Sequence, residues 1–347
     1  MIRRLGLILI GLLLAGLGIE VILRLSDPVP EIGSLATFHE SDPYLGWKGS
    51  PNARLRFHRP DFDTLVRTDP DGWRQPQPAR PADPAQRILV LGDSFTWGWG
   101  VSQGEVFTDR LQARLPTVAI VNRGIIGFGT AQEYLLLKRE LAATRYDTVV
   151  LMFFINDVAD NTDGKDGHRP YFDLVDGQLR AHNLPALPRA DGLQRFFDDH
   201  SRAYHFFAFE IGLLKRRFTG EAADEREYRT AKAVDFHDLP GYAVTARLLG
   251  EMNRVAREHG ARFFLVYTPQ RSELELEIPF PYVRAVHAMI DDISRREGIP
   301  VVDLTPPFRE RAAAGSKLVF PIDAHWTPDA HGLAADVLLS SPIFARD

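Results

Sequence analysis

The chain has 347 residues, no cysteine, and a net charge of −5 with both signs interspersed. The absence of cysteine excludes disulfides, thiolate zinc sites, cysteine nucleophiles and cysteine-linked lipid anchors, and the charge balance leaves no basic footprint for nucleic acid. With 45% hydrophobic and 25% charged residues, the composition is that of a globular protein, not a disordered one.

The first predicted element is an apolar helix. "MIRRLGLILIGLLLAGLGIEVILRL" places Arg3 and Arg4 before a run from Leu5 to Leu23 in which Glu20 is the only charge. At about 1.5 Å per residue that run spans about 28 Å, close to the about 30 Å hydrocarbon core of a bilayer. The arginines predict a cytoplasmic N-terminus and an exported remainder. A cleaved signal peptide is the rival reading. No small-x-small cleavage site precedes a polar stretch, so the sequence favours an uncleaved transmembrane anchor over residues 1–25.

Residues 26–86 form a connector. Residues 26–80 are rich in Pro, Asp and Gly and poorly periodic, and predict an irregular segment packed on the main domain. "RTDPDGWRQP" carries a turn signal at Pro70-Asp71-Gly72. From residue 87 the pattern alternates. "RILVLG" (87–92), "TVAIVN" (117–122) and "DTVVLMFF" (147–154) predict buried strands, separated by helices over 105–115 and 131–144. The alternation stops at residues 159–238, an insertion expected to cap the site, with one predicted helix at 201–218. It resumes with helices at 242–259 and 281–297, strands at 262–268 and 301–304, and a last helix starting near Pro328. Alternation of this kind implies an α/β domain over 87–347 with a parallel sheet between helices.

Ligands in such a sheet bind beyond the C-terminal ends of the strands. Those ends carry Gly92-Asp93-Ser94, then Asn122 to Gly127, then Asn156-Asp157; Asp323-Ala324-His325 precedes the last helix. These types fit nucleophilic acyl transfer. A serine hydroxyl needs a base, a histidine titrates near neutrality, and an aspartate fixes the imidazole tautomer. Backbone N–H groups at Ser94 and Gly127 and the Asn156 amide offer donors for a tetrahedral oxyanion.

Four blocks in this order, "LGDSF" (91–95), "NRGIIGFGT" (122–130), "FIND" (154–157) and "DAHW" (323–326), resemble the SGNH (GDSL-type) hydrolase family over about residues 87–340. The resemblance implies a flavodoxin-like three-layer sandwich with a central parallel sheet. It makes Ser94 the nucleophile, His325 the base, Asp323 its partner, and Ser94, Gly127 and Asn156 the oxyanion hole. Two positions depart from the family pattern: Phe154 stands where a glycine is usual, and only Ala324 separates Asp from His. The tighter Asp-x-His-Trp form resembles the membrane-associated branch, which includes proteins similar to periplasmic O-acetyltransferases that modify alginate. "DGWR" (71–74) and the N-terminal anchor fit that branch.

Asp-Ala-His occurs twice, at 323–325 and 329–331. Thr327-Pro328-Asp329 reads as a helix start, with Thr327 as N-cap, Pro328 at N1 and Asp329 in the first turn. His331 then falls on the helix, one turn in, where it either packs or supports the site residues from behind, and His325 is the expected base. Asp93 and Asp157 are expected to order their turns. Trp97, Trp99 and Trp326 are expected either to line a sugar cleft or to fill the edge of the core, and Arg123 either to meet an anionic substrate or to be solvated. With no cysteine and no His-x-x-x-His pair, no metal is expected, and the acyl-transfer chemistry calls for no cofactor.

The expected function is serine-dependent ester hydrolysis on O-acetylated carbohydrate outside the cytoplasm. The alternatives are O-acetyl transfer to a cell-surface polysaccharide, which would need an acyl-donor partner at the membrane, and a non-catalytic glycan-binding or scaffold module. The expected partners are an acylated small molecule or polysaccharide and, through the N-terminal helix, the membrane.

Overall fold

The computed structural model describes residues 2–26, 38–164, 167–188 and 235–345, with separate residues between 192 and 214. Helix α1 (Ile2–Ser26) opens the chain. Its side chains are described without interruption only from Ile10. Among the described residues no helix is long and apolar enough to cross a membrane. Leu7, Ile10, Leu12, Leu13, Leu14 and Leu17 are nevertheless all exposed on it.

The described part of the segment read as irregular, residues 38–80, contains regular structure. It forms two antiparallel hairpins, β1 (His39–Asp42) with β2 (Gly46–Gly49) and β3 (Arg54–His58) with β4 (Asp63–Arg67). Both strands of the second hairpin alternate strictly between buried and open positions, with Leu55, Phe57, Thr64 and Val66 facing inward. That period of two was present in "RLRFH" and "DTLVR", but Pro and Asp on either side masked it.

The main domain follows the predicted alternation to within two residues at the end of each predicted strand and helix that is described. In chain order it contains β5 (Gln86–Gly92), α2 (Ser94–Trp97), α3 (Phe107–Arg114), β6 (Val118–Asn122), α4 (Thr130–Ala143), β7 (Thr148–Phe153) and α5 (Asp157–Asp160). A hairpin of β8 (Tyr171–Val175) and β9 (Gln178–His182) lies in the insertion. The domain continues with α6 (Tyr242–Glu258), β10 (Arg262–Tyr267), α7 (Arg271–Glu275), α8 (Pro281–Glu297), β11 (Val301–Asp303), α9 (Thr305–Ala313) and α10 (Pro328–Leu339). The sequence reading missed α7 and α9. Two prolines at the start of "TPPFRERAA" suggest a breaker, but proline at the first helical positions is compatible with a helix start. The predicted helix at 201–218 falls mostly outside the described residues.

Five parallel strands make the sheet, in the order β11-β10-β7-β5-β6. Numbered by their own succession, that is 2-1-3-4-5, the flavodoxin-like order, and its topological switch point lies between β5 and β7. Successive side chains on each strand point to opposite faces. Leu89, Leu91, Val149, Leu151 and Leu265 therefore enter one core with α4, α6 and α8. Ile88, Val90, Val150, Met152 and Val266 enter the other with α3, α9 and α10. Burial of each such side chain contributes about 1.5–3 kcal/mol. The two cores hold the strand ends rigid, which matters because the candidate site sits on those ends.

Candidate active site

The turn from β5 into α2 sits at the switch point and is built from Gly92, Asp93 and Ser94. Gly92 has φ 153°, and a Cβ there would lie 2.1 Å from Thr96 Oγ1 and 3.1 Å from Met152 Cβ, so only glycine fits. Asp93 is the N-cap: its Oδ1 accepts from the Phe95 N–H at 2.9 Å. Ser94 is thereby fixed as the first residue of α2.

The loop before α10 brings the first Asp-Ala-His to this serine. Ser94 Oγ lies 2.8 Å from His325 Nε2, and His325 Nδ1 lies 2.5 Å from Asp323 Oδ1. The carboxylate accepts a hydrogen bond from the Nδ1–H, which fixes the tautomer and leaves Nε2 as the acceptor for the serine hydroxyl. Asp323 Oδ2 in turn accepts from the Trp99 indole N–H at 3.0 Å. Burial pushes the Asp323 carboxyl up, but the hydrogen bond and charge of His325 and the bond from Trp99 outweigh it and hold it below the usual carboxylate range. The loop closes on itself: Phe320 N donates to His325 O at 2.8 Å and Thr327 N to Leu318 O at 3.0 Å. Ala324 takes φ 73°, a left-handed conformation rare for a residue with a Cβ.

Gly127 and Asn156 occupy the neighbouring strand ends. Gly127 follows β6 with φ 79°. Asn156 Nδ2 donates to Asp160 Oδ2 at 3.0 Å, and Asp160 is ion-paired with Arg169 from the insertion. The same guanidinium donates to Gly127 O at 3.2 Å. Arg169 thus ties the Gly127 loop to the Asn156 loop, a link with no signal in sequence because Arg169 lies in the least periodic part of the chain. Ser94, Gly127 and Asn156 are each partly exposed while the residues on both sides of them are buried. His325, likewise partly exposed, is followed by fully buried Trp326.

Beneath this rim lies a cluster of buried carboxyls, Asp93, Glu133 and Asp157. Burial pushes Asp93 up to about 6. Glu133 and Asp157 are raised well above the carboxylate range, by burial first and then by the neighbouring acids. Asp157 Oδ2 accepts from Phe154 N at 3.2 Å and so orders the turn that carries Asn156.

The second Asp-Ala-His stands apart from Ser94. Thr327 caps α10 through a bond from Ala330 N, with Pro328 at N1 and Asp329 in the first turn. His331 is 1% exposed, stacks on Phe107 at 6.0 Å, and accepts from Phe107 N at 3.4 Å. Burial, and then Arg74 and Arg110, hold its imidazole well below the usual range, so it stays neutral.

Of the two roles open to Trp97, Trp99 and Trp326, burial selects the core. Trp99 has a further role the sequence did not reveal, as donor to Asp323. Arg123 is neither solvated nor open to a substrate: its Nε donates to Glu140 at 2.8 Å and its guanidinium covers the Trp73 ring at 4.5 Å. Phe154 packs on Phe95 at 4.4 Å between ring centroids, and Phe95 lies 4.7 Å from the His325 ring.

The sequence model of the GDSL-like Lipase/Acylhydrolase family matches residues 90–333. None of the curated proteins matches the chain. Among solved structures, the chain is similar to a lipolytic G-D-S-L family protein from Veillonella parvula, at 14% identity over 75% of this chain and 100% of that one, with a TM-score of 0.42. It is also similar to the psychrotrophic esterase EstA from Pseudoalteromonas, at 15% identity over 74% and 96% of the two chains with a TM-score of 0.41. A lipase/acylhydrolase from Enterococcus faecalis is similar at 14% identity over 74% and 94%, with a TM-score of 0.42.

Proposed function

Because the chain belongs to the GDSL-like lipase/acylhydrolase family and is a hydrolase acting on ester bonds, we propose that Ser94, His325 and Asp323 are its catalytic residues. The observation that carries this is the unbroken relay from Ser94 Oγ to His325 Nε2 at 2.8 Å and from His325 Nδ1 to Asp323 Oδ1 at 2.5 Å. His325 takes the Ser94 proton as Oγ attacks the ester carbonyl carbon. The carbonyl electron pair moves to oxygen, where the Ser94 and Gly127 N–H groups and the remaining N–H of Asn156 receive it. Collapse expels the alcohol, protonated by His325, and leaves an acyl-serine. Water, deprotonated by the same imidazole, then releases the acid and restores Ser94.

The acyl group in this reading is short. The Phe95–Phe154 pair crowds the wall beside His325. An O-acetyl group on carbohydrate is the substrate we favour, with the site outside the cytoplasm. The exposed leucines of α1 support an anchor. Glu20, the one charge in the apolar run, is paired: it accepts from Arg24 Nε at 2.7 Å, Ser201 Oγ at 3.1 Å and Ala203 N at 2.9 Å. Such pairing reduces the cost of a charge at membrane depth. The single-residue spacing of Asp323 and His325 favours a second reading, O-acetyl transfer, in which a sugar hydroxyl takes the place of water on the acyl-serine. It shares every catalytic residue, and an acyl-donor partner in the membrane would load Ser94.

The test is covalent labelling with a fluorophosphonate, followed by hydrolysis of p-nitrophenyl esters of increasing chain length. The reading predicts a mass shift on Ser94 and turnover of acetate at least about tenfold faster than of octanoate. An unlabelled Ser94 in folded protein would leave a glycan-binding or scaffold role. A preference for octanoate would overturn the short-acyl assignment. Acetyl transfer to an added polysaccharide, faster than acetate release, would select the second reading.

A further inference from the structure

We propose that residues 38–78, which lie outside the family-matched region, are a working part of the active site, with Trp47, Asp61 and Arg74 as its positioning residues. The proposal rests on the reading of Ser94, His325 and Asp323 as catalytic. Each of the three side chains leaves the hairpin region and holds the backbone of a different site loop. Asp61 Oδ2 accepts from both Ile322 N and Asp323 N at 2.7 Å. The Trp47 indole N–H donates to Ile126 O at 3.0 Å, one residue before Gly127. Arg74, almost fully buried, donates to Gly98 O at 2.8 Å and Val101 O at 2.6 Å, on the loop that leaves α2 and presents Trp99.

The chemistry of the contacts makes them more than packing. Asp61 makes two short charge-assisted bonds to the backbone at Ile322 and Asp323, next to the strained Ala324. Bonds of this type are roughly twice as strong as neutral ones. A loop that must keep Asp323 Oδ1 within hydrogen-bond reach of His325 and Oδ2 on Trp99 has two orientations to satisfy at once. Asp61 fixes the backbone from which both are reached. Trp47 does the same for the Gly127 N–H, since a peptide carbonyl held at Ile126 sets the plane of the following N–H. A hydrolase core that met these loops without residues 38–78 would have to hold them by other means.

The test uses the full chain and measures kcat and KM for p-nitrophenyl acetate alongside fluorophosphonate labelling of Ser94. Asp61→Ala is expected to lower kcat by about tenfold to a hundredfold with KM within about twofold, since a displacement on the order of 1 Å costs that much in rate. Asp61→Asn keeps an acceptor oxygen and is expected to recover kcat to within about threefold of wild type. Trp47→Phe removes one N–H and keeps the ring, and is expected to lower kcat by about tenfold at unchanged KM. Wild-type kcat in Asp61→Ala, or equal losses in Asp61→Ala and Asp61→Asn, would overturn the proposal. If Asp61→Ala does not fold, Trp47→Phe decides: unchanged kcat overturns the proposal and a selective loss of kcat upholds it. A wild-type chain neither labelled nor active would instead show that the reading of Ser94 fails, and the proposal falls with it.

Discussion

Ala324 is the single residue between Asp323 and His325, and its φ of 73° is what lets both side chains reach each other across so short a spacing. A left-handed residue with a Cβ costs about 1–2 kcal/mol. Ala324→Gly relieves that strain but frees the unfolded chain, so it is expected to raise stability by no more than about 1 kcal/mol in chemical denaturation. A loss of stability would mean that the Ala324 methyl packs in a way the backbone does not reveal. The buried carboxyls give a second prediction. Burial lifts Asp93 to about 6, so the folded state holds a proton that the unfolded chain gives up near about 4. Its stabilising effect is present below about pH 4 and is lost as pH rises through about 6. Glu133 and Asp157 shift in the same direction and extend the loss to higher pH. Asp323, held low, acts the other way: its contribution is lost as pH falls through its depressed value. Both Glu133 oxygens lack a hydrogen-bond partner among the described residues. Glu133→Gln is therefore expected to raise the melting temperature more at pH 8 than at pH 5, and an equal change at both would contradict the assignment.

At the scale of elements, helix α10 separates the two Asp-Ala-His copies by where it starts. Thr327 Oγ1 accepts from Ala330 N and also donates to Lys317 O at 2.7 Å. Thr327→Ala is expected to cost about 1 kcal/mol in thermal or urea unfolding, and a neutral result would mean that Pro328 alone sets the helix start. The strands were legible because each buried strand is a short apolar run, and helices such as α6 and α8 because their apolar residues recur on one face. The start of α10 was legible because its cap residues are local in sequence. The hairpins of residues 39–67 were not, because their short strands are broken by Pro, Asp and Gly, and four or five residues carry too little periodicity to outweigh those signals. The relay partners showed a similar divide. Ser94, Asp323 and His325 could be nominated from residue type and block order. Trp99, Asp61 and Arg169 could not, since each acts through long-range polar contacts that leave no local pattern. The tryptophans near the blocks were ambiguous for a related reason: aromatic side chains serve cores and clefts alike, and only burial separates the two.

For the whole molecule, the parallel sheet brings Ser94 to the switch point between β5 and β7, and the two cores hold the strand ends on which Gly127 and Asn156 stand. The hairpin region and the β8–β9 insertion add side chains that brace those loops from outside the sheet. Helix α1 contributes none of its described residues to either core, and Leu7, Leu12, Leu13, Leu14, Leu17 and Leu25 on it are exposed. Removal of residues 1–26 is expected to move the protein from the membrane fraction to the soluble fraction and to leave esterase activity within about twofold, since no described α1 side chain bonds to Ser94, Asp323 or His325. Unchanged fractionation would contradict the anchor.

The first Asp-Ala-His copy, and not the second, is proposed to serve Ser94. The most direct measurement is the rate of p-nitrophenol release from p-nitrophenyl acetate by the wild-type chain, Ser94→Ala, His325→Ala and His331→Gln. A loss of at least about a thousandfold is expected in Ser94→Ala and His325→Ala. A rate within about threefold of wild type is expected in His331→Gln, because among the described residues its ring makes one weak hydrogen bond, accepted from Phe107 N at 3.4 Å. Retained activity in His325→Ala, with activity lost in a folded His331→Gln, would contradict the proposal.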